Sequence, residues 1–215
     1  LELFYIMIQH GVEPDKYTYT CVLNICAELR SLEHGKCIHH HICSSSGACV
    51  DDFMKSSLID MYGKCGSLEL AARLFEDGSV EKSVVVWTSM ISAHVHQEQS
   101  VLALTLFQRM HAARVSPNDV TILCLIKACR HAKAVEEGML LHALIMLEKT
   151  ESNHLPINNA LIHMYCNCGH REDAEHTFDS LAEKSVVTWG VMIEGYVEFG
   201  DGHSALRLFE EMESE

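Results

Sequence analysis

A 22-residue segment of this chain occurs twice. The segment SSLIDMYGKCGSLELAARLFED, from Ser56 to Asp77, is repeated as NALIHMYCNCGHREDAEHTFDS, which starts 103 residues later at Asn159. The residues that match at this offset are Leu58/Leu161, Ile59/Ile162, Met61/Met164, Tyr62/Tyr165, Cys65/Cys168, Gly66/Gly169, Glu69/Glu172, Ala71/Ala174 and Phe75/Phe178. An apolar pattern duplicated at a fixed offset indicates an array of structural repeats.

Each copy contains two amphipathic segments separated by a short break. In the first copy, Leu58, Ile59 and Tyr62 share one face of a helix, and Gly66 follows where a left-handed residue is needed to end it. A second helical pattern then runs from Leu68 to Phe75. Because neither helix can bury its apolar face alone, the hairpins must stack, which predicts an all-α solenoid of helix-turn-helix repeats.

Three equivalent residue pairs set the phase of the repeats: Tyr19-Thr20, Trp87-Thr88 and Trp189-Gly190. We number positions from the first residue of each repeat. Position 20 is small throughout, as expected where two helices cross closely, and position 24 is His in the long repeats and Phe in the others. Repeat lengths recur as long, short and intermediate, which predicts a single array over residues 1–215 without a separate domain. The predicted repeats are 1–15 (partial), 16–51, 52–83, 84–118, 119–154, 155–185 and a truncated 186–215.

Composition restricts the class of partner. The net charge of −14 argues against a generic nucleic-acid binder, which is usually basic. No apolar run approaches the roughly 20 residues that span a bilayer, so no membrane partner is expected. Since the chain begins with Leu1 inside a helical pattern and ends inside another, we expect it to be a fragment of a longer protein.

A local cysteine and histidine cluster is the one candidate metal site. Its members are Cys37, His39, His40, His41 and Cys43. Helix packing is the favoured interpretation, because His39 is matched by His142, where the neighbouring cysteines are missing. The chain carries no deaminase signature, no glycine-rich phosphate loop and no nucleophile turn. We therefore expect neither an enzyme nor a bound cofactor or metal.

The repeated motifs resemble a known family. SSLIDMYGKCG, NALIHMYCNCG, VVTWGVMIEGY and ALRLFEEM are similar to pentatricopeptide repeats, and the alternating lengths resemble the plant subclass built of P, L and S triplets. On that resemblance 16–51 and 119–154 are L repeats, 52–83 and 155–185 are S repeats, and 84–118 and 186–215 are P repeats. The resemblance implies a right-handed α-solenoid that binds single-stranded RNA, one base per repeat.

The resemblance also implies which residues contact RNA. Position 5 and the last residue of a repeat contact one base edge, and position 2 packs beside the base. The base-reading pairs are Thr20/Asp51, Ser56/Ser83, Thr88/Asn118, Leu123/His154 and Asn159/Ser185, with Gly190 opening an incomplete pair. The base-flanking residues are Tyr17, Phe53, Val85, Val120, Pro156 and Val187. Position 13 often binds phosphate through lysine in this family, and here only Lys64 is a fixed cation at that position.

Base preferences follow from the family's code. Thr88/Asn118 is expected to prefer adenine and Asn159/Ser185 cytosine, whereas Leu123 cannot hydrogen-bond to a base edge. The resemblance implies a role in organellar RNA processing, in a mitochondrion or chloroplast, with C-to-U RNA editing and editing-complex proteins as partners. Because phosphate contacts supply much RNA affinity, we expect an acidic segment to bind RNA weakly. A tetratricopeptide-like scaffold that binds protein and not RNA is the alternative, and the acidic composition favours it.

Overall fold

The computed structural model describes residues 1–44, 51–77, 82–147 and 155–214. Within these ranges the regular structure consists of thirteen α-helices, and no strand is found. None of the helices in these ranges is both long and apolar enough to cross a membrane. The prediction of an all-α fold of helix-turn-helix repeats is confirmed.

The helices occur in pairs. After α1 (Glu2–Gln9), the first helix of each pair begins at the first residue of a predicted repeat. These first helices are α2 (Lys16–Glu28), α4 (Asp52–Lys64), α6 (Val84–His96), α8 (Asp119–Ala132), α10 (Leu155–Asn167) and α12 (Val186–Glu198). The second helices are α3 (Leu32–Ser44), α5 (Leu68–Glu76), α7 (Ser100–Ala112), α9 (Val135–Leu147), α11 (Arg171–Asp179) and α13 (Gly202–Ser214). The repeat bounds themselves stay a prediction.

The short repeats owe their length to their second helices. α5 and α11 have nine residues each, whereas the other second helices have thirteen. In the same two repeats the first helix ends at a glycine in the left-handed region, Gly66 with φ +77° and Gly169 with φ +83°. Glycine adopts this conformation without the steric cost that a Cβ imposes.

The helices form two compact units, which are described separately. Unit 1 is Leu1–Asn118 and unit 2 is Asp119–Glu215, so the division falls between two predicted repeats. In unit 1 the first helices α2, α4 and α6 pack side by side, and in unit 2 the first helices α8, α10 and α12 do the same. Each second helix packs against the first helix of its own pair, so the apolar core of each unit lies between the two rows.

Small residues at position 20 allow first and second helices to approach closely. All six are buried, and two of them are glycines that face a methionine of the following repeat. A Cβ placed on Gly35 would lie 2.3 Å from Met61 Sδ, and one placed on Gly138 would lie 2.3 Å from Met164 Sδ. These contacts confirm the close helix crossing that the sequence predicted.

Two kinds of aromatic contact join successive repeats. In the long repeats the position-24 histidine bonds the tyrosine of the next first helix, His39 to Tyr62 at 2.8 Å and His142 to Tyr165 at 3.0 Å. In the short repeats the position-24 phenylalanine packs edge-on against a tryptophan. The ring centroids are 4.9 Å apart for Phe75–Trp87 and 5.1 Å apart for Phe178–Trp189. The long repeats, with His at position 24, and the short repeats, with Phe, therefore form two different junctions to the next repeat.

Candidate nucleic-acid interface

A row of exposed apolar side chains follows the first helices of each unit. Position 2 is exposed in all six, with Tyr17 at 64 % and Val187 at 62 % exposure. The complete row is Tyr17, Phe53 and Val85 in unit 1, and Val120, Pro156 and Val187 in unit 2. Positions 2, 5, 9 and 13 are spaced by three, four and four residues, so they share one face of a helix. This face points away from the second helices.

The short hydroxyls at position 5 are bonded to their own helices. The donor–acceptor distances are 2.9 Å from Thr20 Oγ1 to the Lys16 carbonyl, 2.7 Å from Ser56 Oγ to the Phe53 carbonyl and 2.7 Å from Thr88 Oγ1 to the Val84 carbonyl. The family resemblance implied that these residues contact a base edge. A hydroxyl whose proton is already used can only accept further hydrogen bonds. Ser56 and Thr88 are also only 6 % and 8 % exposed.

The other position-5 residues differ from one another. Asn159 is half-buried, and its Oδ1 is a buried atom without a hydrogen-bond partner. Gly190 is exposed, and nothing lies within 4 Å of the place where a Cβ would be. Leu123 lines a surface pocket between α8 and α10.

The last residue of each repeat directly precedes the next first helix. Asp51 caps α4 by accepting from the Met54 N–H at 2.8 Å, and Ser185 caps α12 in a capping box with Thr188. Ser83 precedes α6 without a capping bond, and its buried Oγ lacks a partner. Asn118 precedes α8 and is exposed, and His154 lies outside the described residues. If Asp51 and Ser185 contact bases, they do so in addition to capping a helix.

Lys64, the predicted phosphate ligand, lies between two carboxylates. Its Nζ is 3.1 Å from Glu28 Oε1 and 3.2 Å from Asp60 Oδ2, and these interactions raise its pKa against the opposing effect of burial. Because Glu28 and Lys64 both occupy position 13, the contact joins equivalent sites of adjacent repeats. A phosphate at Lys64 would have to compete with both carboxylates.

Polar residues at position 9 were not among the predicted site residues. Position 9 is Asn24, Asp60, Ser92, Lys127, His163 and Glu194, and this uniformly polar row directly follows the apolar positions 7 and 8. In unit 2, Lys127, Arg130 and His163 line the pocket beside Leu123, which has a volume of about 160 Å³. Arg130 donates to the His163 ring, with Nη1 2.9 Å from Nδ1. The uniform polarity of position 9 was the signal that could have identified these residues.

Two carboxylates make the α12 part of this face negative. Glu194 and Glu198 lie one helical turn apart, and each has a carboxylate oxygen within 4.8 Å of a His163 ring nitrogen. Burial and the charge of Glu198 raise the pKa of the Cys166 thiol to about 12. In unit 2 the face therefore changes from cationic on α8 to anionic on α12.

The cysteine and histidine cluster of α3 does not converge on one point. His39 bonds Tyr62, and His41 bonds Tyr19 Oη at 2.8 Å. Cys37 and Cys43 are exposed. In the described part of the chain, His163, Glu194 and Glu198 are the one group of three such residues close enough to share an ion. The packing interpretation of His39 is thus supported.

Family models match the chain over most of its repeats. A model described as PPR repeat family matches residues 82–131, and a model described as PPR repeat matches residues 53–77, 159–186 and 187–215. Together these matches cover more than half of the chain.

Similar proteins come from Arabidopsis thaliana. A pentatricopeptide repeat-containing protein named as mitochondrial is 36 % identical over 100 % of this chain and 31 % of its own length. The chloroplastic pentatricopeptide repeat-containing protein CRR2 is 34 % identical over 99 % of this chain and 33 % of its own length. The chain thus spans about a third of the length of these relatives.

Solved structures share the fold. PPR10 in complex with an 18-nucleotide psaJ RNA element superposes with a TM-score of 0.75 at 16 % identity, over 98 % of this chain and 31 % of that one. PPR10 from maize superposes with a TM-score of 0.69 at 16 % identity, over 99 % of this chain and 35 % of that one. With the repeat models matched along most of its length, this chain belongs to the pentatricopeptide repeat family.

Proposed function

We propose that this chain binds single-stranded RNA and contributes one base contact per repeat. The observation that carries the proposal is the row of exposed apolar residues at position 2. These side chains are exposed in all six first helices, and a row of such side chains beside small polar residues suits flat, stacked bases. Single-stranded RNA is recognised through unstacked bases whose faces pack on protein and whose edges are hydrogen-bonded.

The polar atoms near this row fit the recognition of base edges. The position-5 hydroxyls donate to their own helices, so a base N–H is the group that they can accept. Ser83 Oγ and Asn159 Oδ1 lack partners although they are buried, and both residues belong to the predicted base-reading pairs. An unsatisfied buried acceptor costs about 1–3 kcal/mol. Because both atoms are enclosed, a donor from RNA would remove that cost only when these side chains turn outward on binding.

The names of similar proteins support the cellular setting. PPR10 is described in complex with an RNA element, and the relatives are named as mitochondrial or chloroplastic. We therefore place this chain in an organelle, as part of a longer RNA-binding protein of the P, L and S subclass. On that assignment it directs C-to-U RNA editing to a target, and editing-complex proteins supply the chemistry.

A protein-binding scaffold is the second candidate. The net charge of −14 favours it, because phosphates are repelled by an acidic surface. Membership of the pentatricopeptide repeat family favours RNA instead. A scaffold would show no discrimination among RNA oligomers, so the experiment below separates the two candidates.

The test is a change of one base preference. In the double variant Thr88→Asn with Asn118→Asp, we expect the preferred base at this repeat to change from adenine to uracil. The expected discrimination is about 1–3 kcal/mol, the size of one good pair of hydrogen bonds to a base edge. Fluorescence anisotropy with oligonucleotides that differ at one base measures it.

Thr105→Asn is the matched control. Thr105 also bonds its own helix, at 2.9 Å to the Val101 carbonyl, but it lies on the second helix α7. This variant should keep the preference for adenine. An unchanged preference in the Thr88 double variant would show that the assigned pair is wrong, and equal affinity for all oligomers would favour the scaffold.

A further inference from the structure

We propose that His163, Glu194 and Glu198 form a binding site for a divalent transition-metal ion in unit 2. One ligand atom from each residue, an imidazole nitrogen and two carboxylate oxygens, lies within 4.8 Å of the others. Nitrogen and oxygen ligands of one tetrahedral zinc ion lie about 2.0–2.2 Å from it, and therefore about 3.3–3.6 Å from each other. Because Glu194 and Glu198 are exposed, rotation about their side-chain bonds can shorten the distances between the ligand atoms to this range.

The donor set selects the class of metal. Imidazole suits zinc, copper, iron and nickel, and carboxylates suit manganese, whereas Mg²⁺ and Ca²⁺ prefer oxygen ligands alone. Three protein ligands leave further coordination positions for water. The site would thus bind Zn²⁺ through its mixed ligands, or Mn²⁺ chiefly through its two carboxylates, without enclosing the ion.

The charge of the cluster favours a cation. Glu194 and Glu198 are four residues apart on α12, where two like charges destabilise a helix. Among the residues that the structure describes, neither carboxylate has a cationic side chain within ion-pair distance. A bound divalent ion would relieve this repulsion.

The equivalent place in unit 1 carries a lysine. The positions of His163 and Glu194 are held there by Asp60 and Ser92. Lys64 bonds Asp60 at 3.2 Å, whereas the residue that corresponds to Lys64 in unit 2 is Asn167. Glu198 corresponds to His96, so unit 2 lacks the lysine and holds two carboxylates at these positions where unit 1 holds one. A metal ion bound there would take the place of the ammonium group.

Arg130 sets a condition on binding. Arg130 Nη1 lies 2.9 Å from Nδ1 and 3.2 Å from Nε2 of His163, so it faces both ring nitrogens. When one ring nitrogen binds a metal ion, the other carries the proton, and neither can accept from Arg130. Arg130 must therefore withdraw from the ring when the ion binds. As a half-buried side chain at the edge of an open pocket, it has room to do so.

The experiment uses Mn²⁺ and the complete 215-residue chain. Mn²⁺ is chosen because the ten cysteines of the chain would bind Zn²⁺ elsewhere, whereas thiolates are poor ligands for manganese. Free Mn²⁺ is measured by electron paramagnetic resonance during titration. Paramagnetic broadening of amide signals then locates the ion, and we expect the broadening in α10 and α12.

Three variants decide the outcome. Glu194→Gln and His163→Ala should each weaken Mn²⁺ binding at least tenfold, while Glu210→Gln, which removes an exposed carboxylate of α13, should leave it unchanged. Since Glu194→Gln removes a like-charge repulsion, its melting temperature in EDTA should not fall below that of the wild type. Equal Mn²⁺ binding by the wild type and Glu194→Gln, or broadening away from α10 and α12, would overturn the proposal. RNA binding enters none of these readouts.

Discussion

Gly63 lies on α4 and faces the backbone of α6. A Cβ placed on it would lie 2.5 Å from Ala93 Cβ and 3.0 Å from Ala93 Cα. The neighbour is main chain and a methyl group, so no flexible side chain can move aside. The absence of one side chain therefore sets how closely these two helices pack.

The substitution Gly63→Ala tests this close approach. Alanine has the higher helix propensity, by about 1 kcal/mol, but the clash should dominate. We expect a net loss of about 1–3 kcal/mol in the free energy of unfolding, as for other overpacked sites. Urea denaturation followed by circular dichroism measures it.

Gly190→Ala is the matched control for helix propensity. Gly190 lies inside α12, and nothing is within 4 Å of its missing Cβ. This variant should gain about 0.5–1 kcal/mol, because glycine is the poorer helix former. If Gly63→Ala were stabilised as much as Gly190→Ala, the helices would have room that the structure does not show.

The sequence predicted one set of small contact residues and missed another. Position 20 is small in every repeat, so its role could be read from the aligned repeats, and Gly35 and Gly138 confirm it. Position 12, where Gly63 lies, ranges from glycine to Arg130 and shows no such rule. Its size depends on how near the neighbouring helix comes, which only the packed structure determines.

At the scale of the helices, the junction that follows a long or a short repeat depends on whether position 24 is His or Phe. In the long repeats a half-buried histidine bonds a tyrosine of the next first helix, and burial raises the pKa of Tyr62 and of Tyr165 to about 12. The sequence showed His in the long repeats and Phe in the short ones, but it did not predict the tyrosine and the tryptophan that these residues contact. The histidine reaches position 11 of the next repeat and the phenylalanine reaches position 4, a choice that depends on how successive helices are offset.

The histidine junctions should weaken in acid. Burial lowers the pKa of His39 and of His142 below the ordinary value of about 6.5, which the unfolded chain retains. As the pH falls through 6.5, the unfolded state takes up protons before the folded state does, so the free energy of unfolding falls. We expect the urea midpoint to drop between pH 7.5 and pH 5.5, and to drop less in the double variant His39→Gln with His142→Gln.

His203→Gln is the control for this experiment. His203 lies on α13, away from both junctions in the chain, and its side chain is exposed. Its substitution should leave the dependence of stability on pH as it is in the wild type. If the urea midpoint of the double variant fell between pH 7.5 and pH 5.5 by as much as that of the wild type, the two histidine junctions would not be the source of the pH dependence.

At the scale of the whole molecule, charge opposes the proposed ligand. A chain with a net charge of −14 repels phosphate, and the position-13 lysine that faces the proposed RNA surface is already bound by Glu28 and Asp60. The family resemblance predicted Lys64 as a phosphate contact from its position alone. The two carboxylates could not be read from that position, because one of them belongs to the neighbouring repeat.

The salt dependence of RNA affinity separates the overall repulsion of phosphate from the local competition for Lys64. We expect weak binding whose affinity falls as salt rises, with a slope of log K against log salt of about −0.7 for each phosphate contact. Lys64→Ala should lower the affinity and reduce the magnitude of that slope by about 0.7, since one contact is lost. Glu28→Gln should raise the affinity, because it removes the carboxylate that competes with phosphate for Lys64.

Glu33→Gln is the matched control for the change in net charge. It removes the same charge from α3 in the same repeat, where Glu33 pairs with Lys36 at 3.0 Å on a second helix. A rise in affinity confined to Glu28→Gln would mean that local competition at Lys64 limits binding. Equal rises in both variants would mean that overall repulsion limits it and that Lys64 does not contact phosphate. Tight binding that is insensitive to salt would contradict both accounts, since affinity would then come from the base contacts alone.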